Sequence, residues 1–299
     1  MKNINKQYLN PETISQLSRL DLIARLVVEG FITGLHRSPY HGFSVEFSEY
    51  RPYMPGDPIK IMDWKVFGRT ERYYVKQFEE ETNLKSFLIL DASGSMNYSS
   101  QNTTKFQYAC YLSAALAYLM LLQRDAVGLI MFDKKIRSFH PPRSMMSYLN
   151  VLLKEIDTSI PRGDTKISTV FHDLAERIKR RGLVIVLSDL MDDPDLVLSS
   201  LKHFRHRKHE VIVFHILDPI ERSFHFNNDT EFIDLESHEK IQTQPWHIRE
   251  AYQNSIVAFQ KRFKRECRQH RIDYIMMDTA QPFDTALMNY LSFRKRIGG

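Results

Sequence analysis

The stretch Phe87-Leu88-Ile89-Leu90-Asp91-Ala92-Ser93-Gly94-Ser95-Met96 decides the fold. Four apolar residues in a row, with no polar alternation, suit a strand buried on both faces. Asp91 closes that run. The hydroxyls of Ser93 and Ser95 follow it, with Gly94 permitting a sharp turn between them. A helical pattern over 104–123 starts soon after and is apolar nearly all round, as a helix packed deep in a fold must be. One carboxylate and two hydroxyls therefore stand at the carboxyl end of a buried strand, where open α/β sheets bind their ligands.

Further apolar runs lie at 127–132, 183–187, 211–214 and 274–277. Helical patterns separate them. Ile167, Val170, Phe171, Leu174 and Ile178 share one face, and so do Ile248, Tyr252, Ile256, Phe259 and Phe263 after Pro245. Phe283, Leu287, Tyr290 and Leu291 mark a C-terminal helix. Strands alternating with helices predict an α/β fold with a doubly wound, mostly parallel sheet. Residues 218–245 interrupt the alternation: 221–226 and 231–235 read as short strands around Asn227-Asn228-Asp229, a β-hairpin insertion. The first 83 residues differ in character. A helix is expected over 14–35 and strands over 43–47 and 73–78, with Pro52, Pro55, Gly56 and Pro58 in a turn-rich segment between. The chain thus divides into an N-terminal α+β extension, 1–83, and a sheet domain, 84–299, carrying the insertion.

Composition sets the outer bounds. With 43% hydrophobic and 26% charged residues, the 299-residue chain is of ordinary globular type. Its two cysteines, Cys110 and Cys267, fall in apolar helical patterns, which excludes a disulfide framework. Residues 1–7 lack the apolar core of a signal peptide, and the longest apolar stretch, 112–122, is too short to span a bilayer. The resulting expectation is a cytoplasmic protein with no membrane attachment. The net charge of +5 is concentrated at 202–209 and 261–265. A basic nucleic-acid-binding protein is an alternative resting on this charge alone, since no recognition motif accompanies it. His203, His206 and His209 are read as part of a solvated basic helix end.

A hard cation such as Mg²⁺ takes oxygen ligands in octahedral geometry at roughly 2.0–2.1 Å. Two serine hydroxyls supply such ligands without neutralising the ion. Asp189 ends the 183–187 run, just after Ser188, and in a doubly wound order that strand adjoins the first. Asp91 and Asp189 then flank one crevice. Thr165, at the start of the helix bearing Ile167 and Leu174, can point a third hydroxyl into it. Arg162-Gly163-Asp164 reads as the turn presenting Thr165, with Asp164 an alternative cap or metal-shell residue. Asp192, Asp193 and Asp195 read as the cap of the next helix, at Pro194. The competing reading of the loop, a strand-to-helix turn with serine as cap, accounts for neither Asp189 nor Thr165. The enzymatic alternative is a metal-dependent hydrolase or phosphotransferase. It lacks a candidate base by spacing, a Walker loop and a second-metal carboxylate cluster, and Ser93 stands where a phosphatase-type site would place a second aspartate.

Asp91, Ser93, Ser95, Thr165 and Asp189 together resemble the metal-ion-dependent adhesion site of von Willebrand factor A domains, with its Asp-x-Ser-x-Ser, distant Thr and later Asp at a strand end. The resemblance implies that the serines, and often the threonine, touch the metal while the aspartates act largely through water. The last coordination position is left for an acidic residue of a protein partner. It implies a non-enzymatic, Mg-dependent interaction module, with Mn or Ca as alternative ions. A second resemblance lies upstream. Tyr50-Arg51-Pro52-Tyr53-Met54-Pro55-Gly56-Asp57-Pro58, then Ile61-Met62-Asp63-Trp64 and Gly68-Arg69, is similar to the hallmark of a bacterial family catalogued as domain of unknown function 58. That resemblance implies an adaptor or assembly factor working with a MoxR-type AAA+ ATPase. Many members carry membrane helices ahead of this segment; no such apolar stretch precedes it here, so they are not expected. From the residues themselves, Arg51, Asp57, Asp63, Trp64 and Arg69 would form either a buried ion-pair and aromatic cluster or a partner surface.

Overall fold

A computed structural model describes residues 45–54, 62–80, 85–122, 124–226, 228–236 and 239–281. These fall into two compact units, one up to residue 80 and one from residue 85.

The smaller unit pairs β1 (Val45–Pro52) with β2 (Tyr74–Glu80) antiparallel, with a register shift between Phe47 and Glu49. The helix α1 (Trp64–Thr70) lies between them in sequence. Asp63 starts it: the carboxylate accepts from the amides of Lys65 at 2.9 Å and Val66 at 3.3 Å, satisfying donors that a helix start leaves orphaned. Asp63 is buried, as in the cluster reading, while Trp64 is 57% exposed and Arg69 is also exposed, as in the partner-surface reading. Trp64 meets Phe67 edge-on at 6.1 Å, and the aromatic cluster continues through Tyr73 to Tyr53, with Phe67 and Tyr73 stacked at 4.5 Å. Asp57, the side chain of Arg51 and the helix expected over 14–35 lie outside the described residues, as does the expected C-terminal helix.

The larger unit is built on a six-stranded sheet. Its strands are β3 (Lys85–Asp91), β4 (Ala126–Phe132), β5 (Ile136–Arg143), β6 (Leu183–Ser188), β7 (Glu210–Leu217) and β10 (Asp273–Asp278). The spatial order is β10-β7-β6-β3-β4-β5. Only the β4–β5 pair is antiparallel. This is the doubly wound, mostly parallel sheet expected. The order reverses at β3, which pairs with β6 on one side and β4 on the other, so the carboxyl end of β3 is a topological switch point.

Helices cover both faces. α2 (Lys105–Leu122) packs against β3, β4, β6 and β7. On the other face, Phe87, Ile89, Ile130 and Phe132 meet Phe171 of α4 (Ile167–Arg177), Phe204 of α5 (Pro194–His206) and Phe263 of α7 (Pro245–Gln269). Burying each such side chain contributes about 1.5–3 kcal/mol, which is why the strands read as unbroken apolar runs. Cys110 and Cys267 are free thiols in this interior.

Two elements went unread in the sequence. β5 contains Pro141 and Pro142, which cannot donate to a ladder but are tolerated on an edge strand. α3 (Tyr148–Thr158) buries Tyr148, Leu149, Leu152, Leu153 and Ile156 at helical spacing. The inserted hairpin exists, but as β8 (Thr230–Ile233) paired with β9 (Lys240–Thr243), its connection following Ile233. The first strand expected there instead holds the short helix α6 (Pro219–Ser223), whose start is a reciprocal capping box between Asp218 and Glu221.

His209 does not belong to a solvated helix end. It is fully buried at the foot of β7, its Nε2 3.0 Å from the Ile178 carbonyl oxygen, and burial lowers its pKa. A histidine held neutral in the fold gives stability that is present above its unfolded pKa, about 6.5, and is lost as pH falls below it. Chemical denaturation of His209→Gln against the unchanged chain should show the stability gap shrinking from pH 7.5 to pH 5. A gap independent of pH would show that folding leaves this histidine's pKa unchanged, and a gap that widens toward pH 5 would show that it is protonated in the fold.

Candidate metal centre

The register of β3 on β6 sets Asp91 beside Ser188. The Ser188 hydroxyl donates to Asp91 Oδ2 at 2.6 Å, and the Ser93 amide donates to Oδ1 at 3.0 Å. Asp91, Ser93, Ser188 and Asp189 are all fully buried. The loop after β3 is tied to its neighbours by backbone bonds. The Ala92 amide donates to Phe132 O at 2.7 Å, the Gly94 amide to Gly163 O at 2.8 Å, and the Arg162 amide to Ala92 O at 3.0 Å. The expected turn therefore brings the segment bearing Thr165 against the Asp91 loop. Gly163 sits at φ +80°, a left-handed conformation that suits glycine.

Arg137, on the edge strand, fixes that turn from behind. Its Nε donates to Asp133 Oδ2 at 2.7 Å, while the other two guanidinium nitrogens donate to the carbonyls of Ile160 at 2.7 Å and Arg162 at 2.5 Å. Asp164 is exposed, 3.7 Å from Lys134, and does not cap α4. The cap of α5 is as read: Asp193 accepts from the amides of Asp195 and Leu196, with Pro194 in the first turn. Leu190, directly after Asp189, has φ +56°. For a branched residue this costs about 1–2 kcal/mol, strain of the kind that gathers at functional sites.

Ser93 Oγ and Ser95 Oγ are 3.1 Å apart. Adjacent ligands on an octahedron with bonds of 2.0–2.1 Å are separated by about 2.9 Å, so the two hydroxyls already sit at the spacing of one Mg²⁺ edge. Electrostatics point the same way. Burial, and then the charge of Asp189, push the Asp91 carboxyl up to about 7. Two buried carboxylates beside one another call for cationic charge.

Part of that charge comes from a residue the sequence reading missed. Lys105, the first residue of α2 and 1% exposed, places Nζ 2.7 Å from Asp189 Oδ2 and 2.6 Å from Glu221 Oε1. Burial works against its ammonium, but Asp189 and Glu221 outweigh that and raise its pKa above the ordinary lysine value. The same pairing holds Asp189 below the usual carboxylate range, against the opposing effect of burial. Glu221 in turn accepts from the Asp218 amide at 2.9 Å, and the Asp218 carboxylate accepts from the Ser100 amide at 2.8 Å and the Ser100 hydroxyl at 2.5 Å. One ammonium shared by Asp189 and Glu221 leaves Asp91 uncompensated. The site thus fits a divalent cation held by hydroxyl oxygens. Among the described residues no cluster of three or more His, Cys, Asp and Glu could hold a metal without them.

Thr165 is the remaining expected ligand. Its hydroxyl is not committed to capping α4; it donates to Glu236 Oε1 at 2.6 Å, and its amide donates to Glu236 Oε2 at 2.8 Å. Glu236 follows β8 in the inserted hairpin and was also missed. Its signal was weak, one of three acids, Asp234, Glu236 and Glu239, in a polar turn.

The basic clusters at 202–209 and 261–265 are largely engaged within the fold. Lys202 pairs with Glu266, Arg207 with Glu176 and Arg262 with Asp195, and Arg205 donates to the carbonyls of His209 and His270. This removes much of the free charge on which a nucleic-acid reading rested.

The strand order, the switch point at β3 and the Asp-x-Ser-x-Ser loop upon it define a von Willebrand factor A-like domain. The chain belongs to the family described as Protein of unknown function DUF58, which it matches over residues 49–262. The uncharacterized protein Rv1480 of Mycobacterium tuberculosis is 27% identical over 233 residues, covering 76% of this chain and 72% of that one. Similar solved structures include an aerotolerance-related membrane protein from Bacteroides fragilis, at 17% identity and TM-score 0.45 over 70% of this chain and 99% of that one. The SpRpn10 VWA domain matches at 11% identity and TM-score 0.39, over 70% of this chain and 95% of that one. Family and fold together suggest a protein-interaction module.

The expected cytoplasmic location does not stand. One of the solved structures that the chain is similar to, that from Bacteroides fragilis, is of a protein described as an aerotolerance-related membrane protein. The inference from a missing signal and a missing span was too strong. Among the described residues no helix is long and apolar enough to cross a membrane, which is a statement about those helices and not about location.

Proposed function

We infer that the chain is a non-enzymatic interaction module whose Asp91 crevice binds Mg²⁺ and, through it, an acidic residue of a protein partner. Ser93, Ser95 and Thr165 would offer hydroxyl oxygens to the ion, while Asp91 and Asp189 would orient water and balance charge. When bound, a divalent cation supplies a Lewis-acidic position for a carboxylate oxygen. The observation that carries this reading is the pair of serine hydroxyls 3.1 Å apart beside two buried carboxylates.

A non-catalytic role is supported by what does not accompany the crevice in the sequence, a Walker loop or a second-metal carboxylate cluster. Both oxygens of Asp91 accept hydrogen bonds, from Ser93 and Ser188, and both oxygens of Asp189 are engaged, by Lys105 and the Met191 amide, so both carboxylates are held in place by the fold. By analogy with the family, the partner is a MoxR-type AAA+ ATPase and the chain its adaptor or assembly factor. Mn²⁺ is the natural probe ion for the site. The test is capture of such an ATPase on the immobilised chain, expected in Mg²⁺ and lost in EDTA and with Ser93→Ala. Capture that survives both conditions contradicts the metal bridge.

A further inference from the structure

The inserted hairpin reaches the crevice at two points. The backbone carbonyl of Leu235 lies over Gly94, so close that a Cβ there would stand 2.7 Å from it. The next residue, Glu236, grips Thr165 with both carboxylate oxygens, at 2.6 Å to the hydroxyl and 2.8 Å to the amide. Its own conformation is fixed in turn: its amide donates to Asp234 Oδ1 at 2.7 Å, and the Asp234 amide donates to Glu239 O at 2.9 Å across the connection. A charged side chain held bidentate on a short hydroxyl is not a chance surface contact.

We propose that Glu236 is a built-in acidic ligand of the crevice, holding the position that a partner's carboxylate takes. This rests on the metal-site reading above. The separation of Glu236 Oε1 from Thr165 Oγ1, 2.6 Å, is close to the edge of about 2.9 Å between neighbouring ligands on one Mg²⁺. A Thr165 hydroxyl that turns toward the ion therefore carries the Glu236 carboxylate with it into reach. The chain then satisfies its own metal, and a partner's acid binds only by displacing Glu236. The hairpin becomes the element that sets the threshold for partner binding, because the partner competes with a group at high effective concentration.

The experiment is calorimetric titration of the full chain with Mg²⁺ alone, with and without tens of millimolar acetate as a free carboxylate probe. It compares the unchanged chain, Glu236→Gln and Glu231→Gln. The last removes a charge from the same hairpin at an exposed residue paired with Lys240. Loss of one anionic ligand should weaken Mg²⁺ binding on the order of tenfold in Glu236→Gln, with no change in Glu231→Gln. Acetate should restore much of that affinity to Glu236→Gln and do nothing for the unchanged chain. Equal Mg²⁺ affinity in all three, with acetate acting alike on each, overturns the role of Glu236 and leaves the metal site standing. Absence of Mg²⁺ binding to the unchanged chain overturns both.

Discussion

In saturating Mg²⁺, Asp91→Asn is expected to unfold at a lower temperature than the unchanged chain, whereas without the metal the order reverses. The reversal follows from one buried charge. Asp91 lies fully buried beside Asp189, and the cost of ionising it there is what pushes its carboxyl to about 7. Asparagine removes the charge and keeps an oxygen for the Ser93 amide, so the metal-free fold is relieved. With Mg²⁺ bound, the same charge becomes part of the ion's surroundings. A ligand at a hundred times its dissociation constant stabilises the fold by about 2.7 kcal/mol, a gain available to the unchanged chain and not to the variant. Scanning calorimetry with and without Mg²⁺ reads both signs. Equal Mg²⁺-induced shifts in the two proteins would remove Asp91 from the site.

The second large effect belongs to Lys105. Replacing it by methionine keeps an unbranched apolar stem and deletes the ammonium that lies 2.7 Å from Asp189 and 2.6 Å from Glu221. The buried Asp189 and the half-buried Glu221 then face one another with no cation between them. Breaking a buried pair by removing one partner costs roughly 3–5 kcal/mol, because the charge left behind has neither water nor counter-ion. Lys105→Met should therefore lose about that much in urea unfolding at neutral pH. Adding Glu221→Gln should recover part of the loss, since one of the stranded charges is then gone. If Lys105→Met is as stable as the unchanged chain, the ammonium does not neutralise the site, and the charge argument for a divalent ion loses a component.

What the sequence disclosed divides along a physical line. Sheet strands buried on both faces announce themselves as apolar runs, and the Asp91 loop is local, with three polar groups within five residues of one strand end. Asp189 was found because a doubly wound order places its strand beside the first. Lys105 and Glu236 were not, because each meets its partner across a long sequence separation, 84 residues for Lys105 with Asp189 and 71 for Glu236 with Thr165. Lys105 did leave a trace: a lone lysine opening a helix that is otherwise apolar demands a buried acid. Glu221 was read as strand because residues 221–226 flank the turn-forming Asn227-Asn228-Asp229, whereas Asp218 and Pro219 ahead of it spell a helix start. The edge strand β5 was hidden by its prolines, whose meaning depends on knowing that it lies at an edge. For Trp64 and Arg69 the sequence left a buried cluster and a partner surface both open, since nothing in a turn-rich segment specifies which side chains face inward, and both are exposed.

The central claim is that hydroxyl oxygens of the Asp91 loop hold a divalent cation. Its most direct test is an anomalous difference map from crystals of the full chain grown with Mn²⁺. The account predicts a peak about 2.2 Å from both Ser93 Oγ and Ser95 Oγ, absent in crystals of Ser93→Ala grown the same way. A map from saturating Mn²⁺ with no peak there, and with the two serine hydroxyls still bonded to each other, would contradict it.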